Sequence, residues 1–206
     1  MKRNLMLMFG IVCACIFMLS GCSNQSATSI VSVKDKIDFG TYNNEIIKWR
    51  VLDKQDEKML LISDKTLFQK KYNDEEKDIT WADCTLRAYL NGEFYDNCFS
   101  NAEQEKIATT HLINSNNPDY GTFGGNDTDD KIFLLSIDEA NQYFSSDNDR
   151  IAKNYKGEDD NWRLRSPGNF AHYAALVNYE GLVYNDGFYV GSDYIAVRPA
   201  LWMNLK

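Results

Sequence analysis

The chain has 206 residues, enough for one domain with a sizeable core. Its formal net charge is −8, and an acidic surface excludes ordinary nucleic-acid binding, because a phosphate backbone demands a basic face. Aromatic residues make up 13% of the chain against only three prolines, a balance that suits strands and binding surfaces.

The first segment reads as an export signal. Lys2 and Arg3 supply a positive end, Leu5 to Leu19 is almost wholly apolar, and the small residues Ser20 and Gly21 precede Cys22. A membrane span needs about 20 apolar residues, so this segment fits a secretion signal better. Leu19-Ser20-Gly21-Cys22 resembles the lipobox of bacterial lipoproteins. The resemblance implies that residues 1–21 are a signal peptide, that diacylglycerol is transferred to the Cys22 thiol, and that cleavage falls before it. An ordinary secreted protein and a retained anchor are the other readings. Two or more acyl chains anchor stably, since each buried methylene contributes about 0.8 kcal/mol. Residues 22–32 are rich in Ser, Asn, Gln, Ala and Thr and read as a polar tether. Residues 33–206 then form a single domain outside the cytoplasm, held to the membrane by lipid. That location argues against kinases and most dehydrogenases, which need cytosolic nucleotides.

Lys36 to Phe39 is predicted as a short strand ended by Gly40. Ile47, Trp49 and Val51 alternate with charged neighbours, the pattern of a half-buried strand. Asp53-Lys54-Gln55-Asp56 is a turn, and Met59 to Ile62 is the return strand. Leu67 to Asp78 is charged and reads as a loop. Thr80 with Asp83 starts a helix to about Leu90, stopped by Asn91-Gly92, and Phe94 to Phe99 is a second short piece. Ser100 with Glu103 is a capping box for a helix through Ile107, and Ser136 with Glu139 for one ending near Phe144. Ala108–Ile113 and Ile132–Leu135 are strand-like. From Trp162 the chain turns all-β, with segments at Ala174–Val177, Leu182–Tyr184, Phe188–Val190 and Ile195–Met203, and Asn185-Asp186-Gly187 as a turn. The fold class is α+β: an N-terminal hairpin, helices, and a β-rich C-terminal third.

Chemistry-bearing residues are few. Outside the leader and Cys22, the cysteines are Cys84 and Cys98. A bridge between them would close a loop of about 14 residues and contribute roughly 3 kcal/mol; two buried thiols are the equal alternative. Cys84 sits beside Leu86 and Tyr89 on an amphipathic helix, which favours a core thiol over a nucleophile. His111 lies in a strand-like run and His172 in a loop, and no nucleophile elbow, phosphate loop or zinc helix is present. No catalytic residue is singled out. The loop at Gly124–Asp130 supplies Asn126, Asp127, Asp129 and Asp130, oxygen donors that suit calcium. The competing reading is a solvated turn whose Asp130 bonds backbone amides. Between residues 170 and 194 stand Phe170, Tyr173, Tyr179, Tyr184, Phe188, Tyr189 and Tyr194, interleaved with Asn178, Asn185, Asp186 and Asp193. Rings beside amides and carboxylates suit recognition of sugars or proteins. We take His172, Tyr173, Tyr179, Tyr184, Asn185, Asp186, Phe188, Tyr189 and Tyr194 as the candidate ligand-binding set; the alternative is that half the rings fill the core.

An ordered series of segments resembles an uncharacterised bacterial domain family of surface proteins. It comprises Ile37-Asp38-Phe39-Gly40, Ile47 to Leu52, Trp81 to Arg87 with Leu90-Asn91, Asp130 to Ser136, Trp162 to Gly168, and Val197-Arg198-Pro199-Ala200-Leu201-Trp202. The terminal signature is also similar to C-type-lectin-like domains, including formylglycine-generating-type enzymes and the variable ligand-binding proteins of diversity-generating elements. The resemblance implies a single C-type-lectin-like domain with residues 172–194 as the exposed face. It does not carry over oxidase chemistry, because no cysteine follows Cys98. It makes Trp162, Arg165, Arg198 and Trp202 scaffold. The expected function is binding of a glycan or protein ligand; an enzyme acting on envelope polymers and a purely structural surface module are the alternatives.

Overall fold

The computed structural model describes residues 31–55 and 57–205. Residues 1–21, Cys22 and most of the tether lie outside them. Strands β1 (Lys36–Tyr42), β2 (Glu45–Lys54) and β3 (Lys58–Ser63) form an antiparallel meander. The alternation of β2 holds: Ile47, Trp49 and Val51 are buried, and Trp49 Nε1 donates to the Phe39 carbonyl at 2.6 Å. Gly40 does not end β1. The register shifts there and the strand runs on to a two-residue turn at Asn43-Asn44, both with positive φ, the geometry that suits the twist of a hairpin.

The supposed loop after β3 contains strand β4 (Phe68–Gln69). A single 3₁₀ turn (Trp81–Asp83) follows, then α1 (Thr85–Tyr89), a π-turn (Leu90–Phe94), α2 (Tyr95–Cys98) and α3 (Asn101–Gln104). Thr80 makes no side-chain cap; Cys84 Sγ accepts from the Arg87 amide and caps α1 instead. Asn91-Gly92 does not stop the helical path. The Asn91 side chain bonds the carbonyl of Arg87 in α1 and, from a distant segment, the Ile132 carbonyl and the amides of Lys131 and Ile132, and the chain widens into the π-turn. The Ser100–Glu103 box is present, but α3 ends at Gln104, short of Ile107. Strands β5 (Thr110–Leu112) and β6 (Thr128–Asp130) pair, while Ile132–Leu135 contributes only a bridge from Phe133 to Ala200. Helix α4 (Ile137–Tyr143) carries the Ser136–Glu139 box, and α5 (Asp147–Arg150) follows.

The β-rich third contains β7 (Ala152–Lys153), β8 (Asp159–Asp160), β9 (Trp162–Pro167), β10 (Tyr173–Val177), β11 (Val183–Tyr189), β12 (Ala196–Val197) and β13 (Ala200–Asn204). One sheet has the order β1-β2-β3-β13 and the other β11-β10-β9-β12-β4. Asn185-Asp186-Gly187 is not a turn: it lies inside β11 as an irregularity opposite Ala174–Leu176. A Cβ at Gly187 would sit 2.6 Å from the Ala174 carbonyl oxygen, so the glycine serves close strand packing. The core joins both sheets and the helices, with Trp49, Trp81 and Trp162 fully buried.

The three arginines of the terminal signature are buried and act on the backbone. Arg198 donates to the carbonyls of Ser63 and Arg150 and lies against the rings of Trp162 and Phe144; burial lowers its pKa to about 9. Arg165 pairs with Glu139, the residue that boxes α4, and donates to the Leu134 carbonyl. Arg163 donates to the carbonyls of Phe188 and Tyr189 at 2.9 and 2.6 Å, fixing the backbone that carries those rings.

Candidate functional site

Six of the seven rings between residues 170 and 194 are exposed, and Tyr173 is half-buried. Five ride on the β10–β11 hairpin, Phe170 and Tyr194 flank it, and β11 is an outer strand of its sheet. Tyr173 and Tyr189 are directly opposite across the hairpin with ring centroids 5.1 Å apart. His172 stacks on Phe170 and meets Tyr173 edge-on, so Phe170, His172, Tyr173 and Tyr189 form one contiguous cluster. The His172 imidazole lies 3.4 Å from the Asp78 carboxylate.

A second group stands farther along the hairpin. Phe188 and Tyr194 pack edge to face at 5.6 Å, and with Tyr184, Leu176 and Asn178 they line a cavity of about 240 Å³. Tyr179 stands apart at the β10–β11 turn, its amide bonded to Asn161. Asn185 and Asp186 do not join the rings. Asn185 Nδ2 donates to Asp119 at 2.7 Å, and the Asp186 carboxylate accepts from the Tyr120 hydroxyl. That bond raises the Tyr120 pKa.

Sequence reasoning missed the loop that meets them. Asn117 is buried, with its side-chain amide donating to the carbonyls of Pro167 and Asn185 and its oxygen accepting from the amides of Asp119 and Tyr120. It bolts the Asn117-Pro118-Asp119 turn to the hairpin and presents the exposed rings of Tyr120 and Phe123. The Asn-Pro-Asp turn signal was the available clue.

The acidic loop divides. Asp129 bonds His111 Nδ1 at 2.9 Å, Asp127 accepts the Asn114 amide at 3.0 Å, and the Asn126 carbonyl accepts from the Asn114 side chain. Asp130 faces the opposite way, because residues alternate along β6. Its buried carboxylate accepts from Trp81 Nε1 at 2.8 Å and Arg87 Nε at 2.7 Å. It bonds side chains rather than the backbone amides expected of a turn. Among the described residues no three His, Cys, Asp or Glu side chains converge on one point.

Cys84 and Cys98 are buried thiols that are not bridged. Burial pushes both up to about 12 from the ordinary 9.0. The protonated thiol is a poor nucleophile, so the native protein is expected to resist iodoacetamide at pH 8 and to take up two labels at these positions in denaturant. Labelling of the native protein at the denatured rate would refute this burial. The stability tied to the protonated thiols is fully present below the unfolded value of about 9 and is lost as pH rises through about 12, since the unfolded chain ionises first.

Taken with its fold, this is an α+β domain presenting a polar-aromatic hairpin. The chain belongs to the family described as a domain of unknown function (DUF6273), which it matches over residues 56–205. No curated protein and no solved structure matches it. Among the described residues no helix is long and apolar enough to cross a membrane.

Proposed function

We propose that this protein is a lipid-anchored extracytoplasmic binding protein whose C-type-lectin-like domain holds a glycan or protein ligand on the β10–β11 hairpin. One observation carries the reading: six of the seven rings of residues 170–194 are exposed, most of them in two groups on and beside the hairpin, instead of filling the core. Exposed rings are costly to leave in water without a partner. Ring faces take the apolar side of a sugar or an aliphatic side chain, while Asn178 at the cavity wall supplies a directional polar group. The pairing of β13 with β3, which brings the C-terminal strand back to the first sheet, supports the lectin-like reading. The export signal and Cys22 support the location.

The test is a glycan array probed with the purified protein, in calcium and in chelator. Selective binding is expected, weakened about tenfold or more by Tyr184→Ala with Tyr189→Ala while the melting temperature holds. Binding that needs calcium would bring Asn126, Asp127 and Asp129 into the site. Absence of glycan binding in both conditions would leave a protein ligand. Unfolding of the double variant would overturn the surface assignment.

A further inference from the structure

A second cleft lies away from the hairpin face, built from segments far apart in sequence. The ring of Phe68 in β4 packs against Tyr42 at the end of β1, Tyr89 in α1 and Phe94 in the π-turn, at centroid distances of 5.2, 5.6 and 5.8 Å. Phe68 walls a cavity of about 230 Å³ with Gln69, Asn154 and Tyr155. The three rings that pack on Phe68, those of Tyr42, Tyr89 and Phe94, wall a second cavity of about 260 Å³ with Asn43 and Asn97. Each is smaller than the roughly 300–1,000 Å³ of a pocket for a drug-sized ligand, so each suits one small ring. Lys70 Nζ stands 4.4 Å over Tyr89 and Lys65 Nζ 5.5 Å over Tyr155, contacts that hold the ring planes in place.

The lining selects the chemistry. Both cavities pair aromatic walls with side-chain amides; Asn154 is taken up by Lys156 and Glu158 and Asn43 by Tyr42, which leaves Gln69 in the first cavity and Asn97 in the second to read hydroxyls while the rings take an apolar face. The Tyr89 and Tyr155 hydroxyls bond no described residue and are available to a ligand. Asp160 borders the first cavity and Glu93 the second, and these carboxylates disfavour an anionic ligand. Lys65 and Lys70 are engaged on the rings, and Lys156 borders the first cavity beside Asp160, so opposite charges balance there. The π-turn that carries Phe94 is a form of helix found often at functional sites.

We propose that this cleft is a binding site for a neutral oligosaccharide of at least two units, with one sugar lodged in each cavity. The site is separate from the hairpin face and stands or falls independently of it.

Saturation-transfer NMR of the purified protein with neutral hexose and N-acetylhexosamine oligosaccharides, from monomers to hexamers, tests the proposal. Oligomers are expected to bind, and monomers about tenfold more weakly. Tyr155→Ala is expected to weaken oligomer binding up to about tenfold, the worth of one aromatic contact. Tyr155 is 46% exposed, so its removal leaves the core intact. Tyr89→Ala, checked by its melting temperature, probes the second cavity, and Tyr184→Ala is expected to change nothing here. Three results would overturn the proposal: no oligosaccharide binds; a monomer binds as tightly as a hexamer; or binding survives both Tyr155→Ala and Tyr89→Ala. Loss only in Tyr184→Ala would assign the binding to the hairpin and remove it from this cleft.

Discussion

Asp130→Ala is expected to destabilise the domain by about 3–5 kcal/mol, the cost of removing one partner from a buried ion pair. The Asp130 side chain is fully buried, and it holds Arg87 Nε, Trp81 Nε1 and the Thr128 hydroxyl together. Without it, the Trp81 N–H is stranded in a buried site and the Arg87 guanidinium loses its counter-charge. The loss should be the same in calcium and in chelator, because this carboxylate is committed to the core. Asp130→Asn, which keeps an acceptor but no charge, should fall between the variant and the parent. Urea midpoints measure all three. A shift worth under about 1 kcal/mol for the alanine variant would mean that the network contributes no more than an ordinary hydrogen bond.

Gly181→Ala should be nearly as damaging, at about 3 kcal/mol or more. Gly181 has φ +84° in the β10–β11 turn, and a Cβ there would sit 1.8 Å from the Asp147 carbonyl oxygen of α5. Unfavourable backbone costs about 1–3 kcal/mol and overpacking a further 1–3 kcal/mol. The Gly181 carbonyl also accepts from buried Arg150 at 2.8 Å, so displacing the turn strains that bond. Gly157→Ala is the control. Its φ is +85° but nothing lies within 4 Å of the added carbon, so it feels the backbone cost alone. If the two variants melt together, the contact between the turn and α5 is looser than this geometry requires.

The parts of the fold that were legible are those dictated locally. Alternation at Ile47, Trp49 and Val51 buries one face whatever lies opposite, and the Ser136–Glu139 box closes within one helical turn. The misreadings occurred where a distant group overrode a local signal. Asn91-Gly92 reads as a stop until Lys131 and Ile132 arrive to bond the Asn91 side chain. Asn185-Asp186-Gly187 reads as a turn because the chain alone cannot reveal that Gly187 faces the Ala174 carbonyl. Asp130 reads as one more ligand in an acidic loop until strand alternation turns it toward Trp81. At the candidate site, the outward rings of the hairpin were legible as interleaved aromatics and polar residues within one short stretch. The cleft around Phe68 was not, because Tyr42, Phe68, Tyr89 and Tyr155 come from four separate segments and share no spacing.

The closing of the first sheet by β13 has a consequence for how the chain matures. Residues Ala200–Asn204 pair with Lys58–Ile62 along their whole length. A nascent chain that has reached Pro199 therefore carries β1–β3 with the outer edge of β3 open and without Leu201 or Trp202 to cover the core. Contacts between segments so far apart form late and slowly. The tertiary structure of the domain therefore waits for β13 to pair with β3, and the edge of β3 stays open until it does.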